Sequence, residues 1–139
     1  MSEAVHIIGD YFTLFVYGTL KRSGVRQPVL AGQRLLGEAR TAPRYALFDL
    51  VHYPGLVHCE TAGRSVHGEL YRVETGLLDR LDQIEGAPSV FRLEPILIEG
   101  VDERVFAYFY QRSTQGRALC DNDCWANGNA ASGGGLPTS

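Results

Sequence analysis

The chain has 139 residues, 45% of them apolar and 21% charged, with a formal net charge of −3 and a pI near 5.8. These values describe one globular domain able to bury a core, and they exclude a basic stripe that could neutralise nucleic-acid phosphates. No apolar run approaches the roughly 20 residues of a membrane-spanning helix, and MSEAVHIIGD has neither a basic start nor a long apolar stretch, so no leader is expected and the cytoplasm is the expected location.

In chain order, the run at 13–17 (TLFVY) is β-branched and aromatic and reads as a buried strand. It passes directly into GTLKRSG at 18–24. That stretch is either an ordinary turn or a loop whose backbone N–H groups hold an anionic or carbonyl-bearing ligand. Residues 25–31 have room for one or two helical turns. Further strands are expected at 34–38, 45–50, 55–58 and 66–73, separated by Pro43, Pro54 and Ala62-Gly63. Of these, VHGELYRV alternates as a half-exposed strand does. Two more long runs follow at 91–98 and 105–111.

One segment has helical periodicity. In TGLLDRLDQIEG (75–86), Leu77, Leu78, Leu81 and Ile84 recur on one face, with Thr75 as the expected N-cap and Gly86 as the stop. Asp79, Asp82 and Gln83 are expected on the opposite side. Glu85, at about 100° per residue, falls between Leu81 and Leu78, inside the apolar stripe. There a carboxylate is partly desolvated and sits at the negative end of the helix dipole, which together would raise its pKa toward the range of a general base. The other reading is a frayed last turn with Glu85 in water.

Many strands with one or two helices imply an α+β domain, a curled sheet or small barrel rather than a doubly wound parallel sheet. The domain is assigned to residues 1–116 and a Gly/Asn/Ser-rich tail to 117–139, whose last dozen residues are expected to be flexible. Cys59, Cys120 and Cys124 are too few and odd in number for a secreted disulfide scaffold. The C-x3-C pair lacks the second pair of ligands that a zinc site needs, so no metal is expected.

FVYGTLKRSG, YPGLV (53–57), VHGELYRV (66–73), LDQIEGAPSVFR (81–92) and AYFYQR (107–112) together resemble, in order and spacing, the γ-glutamylcyclotransferase-like family. That family includes the γ-glutamylamine cyclotransferases and the plant proteins known as AIG-two-like. The likeness runs from about Leu14 to Arg112, with a weaker echo at Trp125. It implies a small mixed β-barrel with flanking helices. It also implies a cofactor-independent reaction, in which the α-amine of a γ-glutamyl group attacks its own γ-carbonyl and releases 5-oxoproline and the partner amine. By the same resemblance the catalytic glutamate of LDxxEG is Glu85, and the substrate cradle is Tyr17, Gly18, Thr19 and Leu20.

The chemistry agrees with that transfer. An α-ammonium must lose a proton before it attacks, and the carboxyl that takes it can protonate the departing nitrogen. Backbone N–H groups after Gly18 would stabilise the oxyanion, and glycine allows the close approach. For Tyr110 and Tyr17, substrate hydrogen bonding and a place in the barrel wall both stay open. Lys21 and Arg22 read as exposed turn cations, Glu69 as a strand residue, and His52, His58 and His67 as strand or loop residues. Phe91-Arg92 departs from the family's frequent Tyr-Arg, so a hydroxyl is missing there. The expected partner is a small γ-glutamyl substrate, with neither nucleic acid nor membrane. The alternative is a non-catalytic γ-glutamyl-ligand binder or protein-interaction module on the same fold.

Overall fold

Two near-continuous apolar runs, YFTLFV and VFAYFY, set the architecture, because a strand apolar on both faces must be covered on both. The computed structural model describes residues 7, 9–17, 30–51 and 53–120. The elements run β1 (Tyr11–Val16), β2 (Arg34–Arg40), β3 (Tyr45–Asp49), β4 (Pro54–His58), β5 (His67–Glu74), a 3-10 turn (Thr75–Leu77), α1 (Leu78–Glu85), β6 (Phe91–Ile96), β7 (Val105–Tyr110) and β8 (Ala118–Leu119). The two apolar runs are β1 and β7, and they lie side by side and parallel at the centre of a five-stranded sheet ordered β2-β5-β1-β7-β6. All other pairings in that sheet are antiparallel. A second, antiparallel sheet has the order β4-β3-β8.

Each face of the large sheet is covered by a different layer. Phe12, Leu14 and Val16 of β1, with Tyr71, Val73, Phe106 and Tyr108, pack on Leu81 of α1. The alternate residues Phe15, Leu70, Val105, Ala107 and Phe109 face Tyr45, Leu47 and Leu56 of the small sheet. The period-2 alternation of strand side chains thus sorts the sequence into two cores.

Among the described residues the sheets are not closed into the expected barrel. The described strands make two sheets, and β2 and β6 remain the two edges of the larger one. The chain segments just beyond those edge strands meet at a single bridge, Thr41 with Ile98. Buried Thr41 also accepts the Val66 amide at 2.9 Å. In the small sheet, β3 is hydrogen-bonded by β4 on one side and by the distant β8 on the other. β8 and the buried Cys120 lie in the first residues of the segment assigned as a tail. The helical turns expected at 25–31 fall mostly outside the described residues, as does the rest of the tail from 121.

The helix begins differently from its sequence signal. Thr75 does not cap it: its hydroxyl donates to the Gly9 carbonyl at 2.9 Å and its amide to that of Asp10 at 2.8 Å, tying it to the segment before β1. The 3-10 turn intervenes, and Leu77 is the N-cap, without a side-chain bond. The C-terminus follows expectation, with Gly86 at φ 69°, ψ 35° in the left-handed region. The Ala87 amide donates to the Asp82 carbonyl at 2.9 Å, closing the last turn.

Two glycines are required by this geometry. A Cβ on Gly68 would stand 2.4 Å from the Val16 carbonyl oxygen and 2.5 Å from the Phe15 ring, and the backbone oxygen belongs to the central strand. We expect Gly68→Ala to destabilise by about 1–3 kcal/mol, measured by chemical denaturation. Gly86→Ala should cost about 1–2 kcal/mol by the same measurement, because a left-handed L-residue is strained.

Candidate active site

The last turn of α1 carries two carboxylates toward the sheet. Glu85 is the terminal helical residue and is only 8% exposed. Its periodicity with Leu81, itself fully buried, holds: four residues make about 400°, nearly one full turn. The frayed reading is therefore excluded. Asp82 does not face away as expected. Three residues before Glu85, it lies about 60° from it around the helix, and it accepts a 2.6 Å hydrogen bond from the Tyr108 hydroxyl on β7.

Glu85, Gly86, Gln83 and Ile84 form one wall of a cavity of about 180 Å³. The remaining walls are Phe15, Val16 and Tyr17 at the end of β1, Tyr53 and Pro54 at the start of β4, Val90 and Phe91 at the start of β6, and Tyr108. Most of this lining is apolar or aromatic. The cavity lies where the central strand β1 runs out, beside the C-terminus of the helix.

Two of the three phenols in the wall, Tyr17 and Tyr108, are tied to the scaffold. The Tyr17 hydroxyl donates to the Tyr108 carbonyl at 2.5 Å and accepts the Leu56 amide at 3.3 Å. Burial, and then the negative charge of Glu85, push the Tyr17 hydroxyl well above the ordinary tyrosine range. Tyr108 is raised likewise, first by burial, then by its bond to Asp82 and the charges of Asp82 and Glu85. Neither Tyr17 nor Tyr108 ionises near neutral pH, whereas the same lining holds the carboxyl of Glu85.

Of the residues singled out in the sequence, Glu85 and Tyr17 meet in this cavity. Gly18, Thr19 and Leu20 lie outside the described residues, as do Lys21, Arg22, His52, Cys124 and Trp125. Tyr110 is not among the lining residues: its ring packs on Phe91 with centroids 5.4 Å apart, behind the wall. The residue two positions earlier on the same strand face, Tyr108, lines the cavity instead. Sequence alternation identifies that face but not which residue along it meets the end of α1. Glu69 is buried on β5 opposite Val16 and is not a lining residue. His58 bonds Glu94 at 2.8 Å and stacks on Phe109, and His67 opens β5 opposite Arg40. Cys59 is a free thiol, whereas Cys120 is disulfide-bonded. From the sequence Tyr53 stands out only within YPGLV, and Pro54 there and as a break between strands, neither with a role in a site.

Comparison with known proteins converges on one family. Residues 14–127 match the family model described as gamma-glutamyl cyclotransferase, AIG2-like. A Vibrio cholerae protein named for the gamma-glutamylcyclotransferases is 38% identical over 112 residues, covering 81% of this chain and 93% of that one. The gamma-glutamylaminecyclotransferase A of Danio rerio is 31% identical over 111 residues, covering 73% of this chain and 69% of its own. Among solved structures, an AIG2-like protein from Mus musculus superposes with a TM-score of 0.65 at 25% identity, over 73% of this chain and 78% of that one. A uropathogenic Escherichia coli protein shares the fold with a TM-score of 0.73 at 20% identity, over 86% of this chain and 98% of that one. With the matched segment spanning β1 through β8, and with Glu85 and Tyr17 of its motifs in one cavity, the chain belongs to the gamma-glutamyl cyclotransferase, AIG2-like, family.

Proposed function

We propose that this protein is an enzyme that cyclises a γ-glutamyl group, releasing 5-oxoproline and a free amine, with Glu85 as general base and then general acid. The observation that carries this reading is a carboxylate buried at 8% exposure in a largely apolar cavity, beside the Tyr17 and Tyr108 phenols, which stay protonated. Burying a carboxylate costs stability unless its surroundings compensate. A proton-transfer role gives that burial a use.

The reaction needs no second substrate. Glu85 takes a proton from the α-ammonium, and the freed nitrogen lone pair attacks the γ-carbonyl carbon. The C–N bond to the leaving amine then breaks as the protonated Glu85 gives its proton to the departing nitrogen. The ring nitrogen, which carries two hydrogens after the attack, gives one of them to the regenerated carboxylate, and that proton leaves with the amine as its ammonium. Electrons and protons balance without a cofactor or water. The cavity's contribution is to hold the γ-glutamyl arm folded, so that nitrogen and carbonyl stand in attack geometry. Gly18, Thr19 and Leu20 follow Tyr17 directly in the sequence and are assigned the oxyanion contacts. The substrate class is a γ-glutamyl amine or peptide, and the cytoplasm is the proposed location.

The measurement is 5-oxoproline release from a panel of γ-glutamyl amines and peptides, followed by mass spectrometry. Glu85→Gln keeps the size of the side chain and removes its proton exchange, so turnover should fall by about a hundredfold or more. A substituted chain that turns over as well as the original would overturn Glu85 as the base. A γ-glutamyl ligand that binds the unsubstituted chain and is never turned over would favour the binding module.

A further inference from the structure

We propose that Tyr108 is the receptor for the substrate's α-ammonium, and that Asp82 is the positioning residue that makes it one. The inference rests on the cyclotransferase reading of the cavity and adds to it a residue pair that none of the sequence motifs singled out for a role.

A phenol has one proton to donate and lone pairs with which to accept. In Tyr108 that proton is committed: the hydroxyl donates to Asp82 Oδ1 at 2.6 Å. With that proton spent on Asp82, the hydroxyl oxygen of this cavity-lining residue is left as an acceptor. The ring is held on three sides, being 3% exposed, set in the central strand β7, and anchored by its own carbonyl, which accepts the Tyr17 hydroxyl at 2.5 Å. Asp82 is held as well, because it stands in the turn of α1 that ends at Glu85.

The charges around this oxygen all have one sign. Asp82 is bonded to it, and Glu85 acts on the same phenol through space. Among the described residues lining the cavity there is no lysine, arginine or histidine. Such a wall suits a cation. The only cationic part of a γ-glutamyl group is its α-ammonium, which must lie beside Glu85 to be deprotonated.

The arrangement also fixes the direction of attack. Once Glu85 has removed one proton, the amine keeps two N–H bonds and one lone pair. An N–H donated to the Tyr108 oxygen stops rotation of the amine and leaves the lone pair for the γ-carbonyl carbon. Asp82 orders the acceptor without touching the substrate.

The test compares two probes differing only in the α-amine: L-γ-glutamyl-methylamide and glutaric acid monomethylamide. Binding is followed by NMR titration in the Glu85→Gln background, where turnover does not interfere. Adding Tyr108→Phe should weaken L-γ-glutamyl-methylamide about tenfold or more, the usual effect of losing a hydrogen bond to a charged group. The glutaric probe should stay within about twofold. Asp82→Ala, at a half-buried position on the helix, should give the same selective loss and serves if Tyr108→Phe melts early by circular dichroism. Equal weakening of both probes, or no change in either, would overturn the assignment. Turnover by the unsubstituted chain separates the two ideas. If 5-oxoproline forms without the selective loss, the Tyr108 assignment alone fails; selective loss without 5-oxoproline keeps the ammonium site and sinks the cyclisation.

Discussion

The structure depends on one constraint: β1 is buried on both faces and must be paired on both edges. Its antiparallel partner β5 and its parallel partner β7 supply the edges, while α1 and the small sheet supply the faces. The pairing with β5 is so close that Gly68 leaves no room for a side chain against Val16 and Phe15. Where β1 ends, its neighbours continue, and the gap beyond Val16 becomes the cavity. The same arrangement brings Tyr17 within hydrogen-bonding distance of the Tyr108 main chain. A parallel neighbour is what permits this, because the register sets Tyr108 level with Val16 and β7 runs on past the end of β1 to Tyr110.

Electrostatics in the site follow from where the helix stops. Gly86 takes a left-handed conformation, so α1 ends at Glu85 and the chain turns away toward β6. The carboxylate is left at the end of an apolar stripe, against aromatic rings and two neutral phenols. Asp82, one turn earlier, does not compete for the same space, since it already holds the Tyr108 hydroxyl. Two carboxylates three residues apart thus have different surroundings, Asp82 on the Tyr108 hydroxyl and Glu85 buried in the cavity wall. The apolar rings of Phe15, Tyr53 and Phe91 exclude water from around Glu85, and that exclusion strengthens every charge interaction inside.

Much of this was legible in the chain. Strand positions follow from β-branched and aromatic runs between Gly and Pro breaks, and each expected strand appears with its ends shifted by no more than two residues. Glu85 was legible because 3.6-residue periodicity is a local property of the helix and places it beside Leu81 whatever the rest of the fold does. Asp82 was misplaced by the same wheel. Its 60° offset from Glu85 leaves it at the stripe's margin, and only the presence of Tyr108 across the gap decides that it turns inward. Thr75 looked like a cap because its type fits one, but its hydroxyl found the Gly9 carbonyl instead.

By itself the sequence determined the family, the strand-rich class, the single helix among the described residues and the carboxylate at its end. All of these rest on short-range chemistry: periodicity, turn residues and motif spacing. The tertiary structure alone decided that the strands lie in two sheets rather than one closed barrel, because closure depends on which distant edges pair. It also decided that Tyr108, not Tyr110, meets the helix end. The two tyrosines carry the same local signal, and only the register of β7 against β1 and α1 tells them apart.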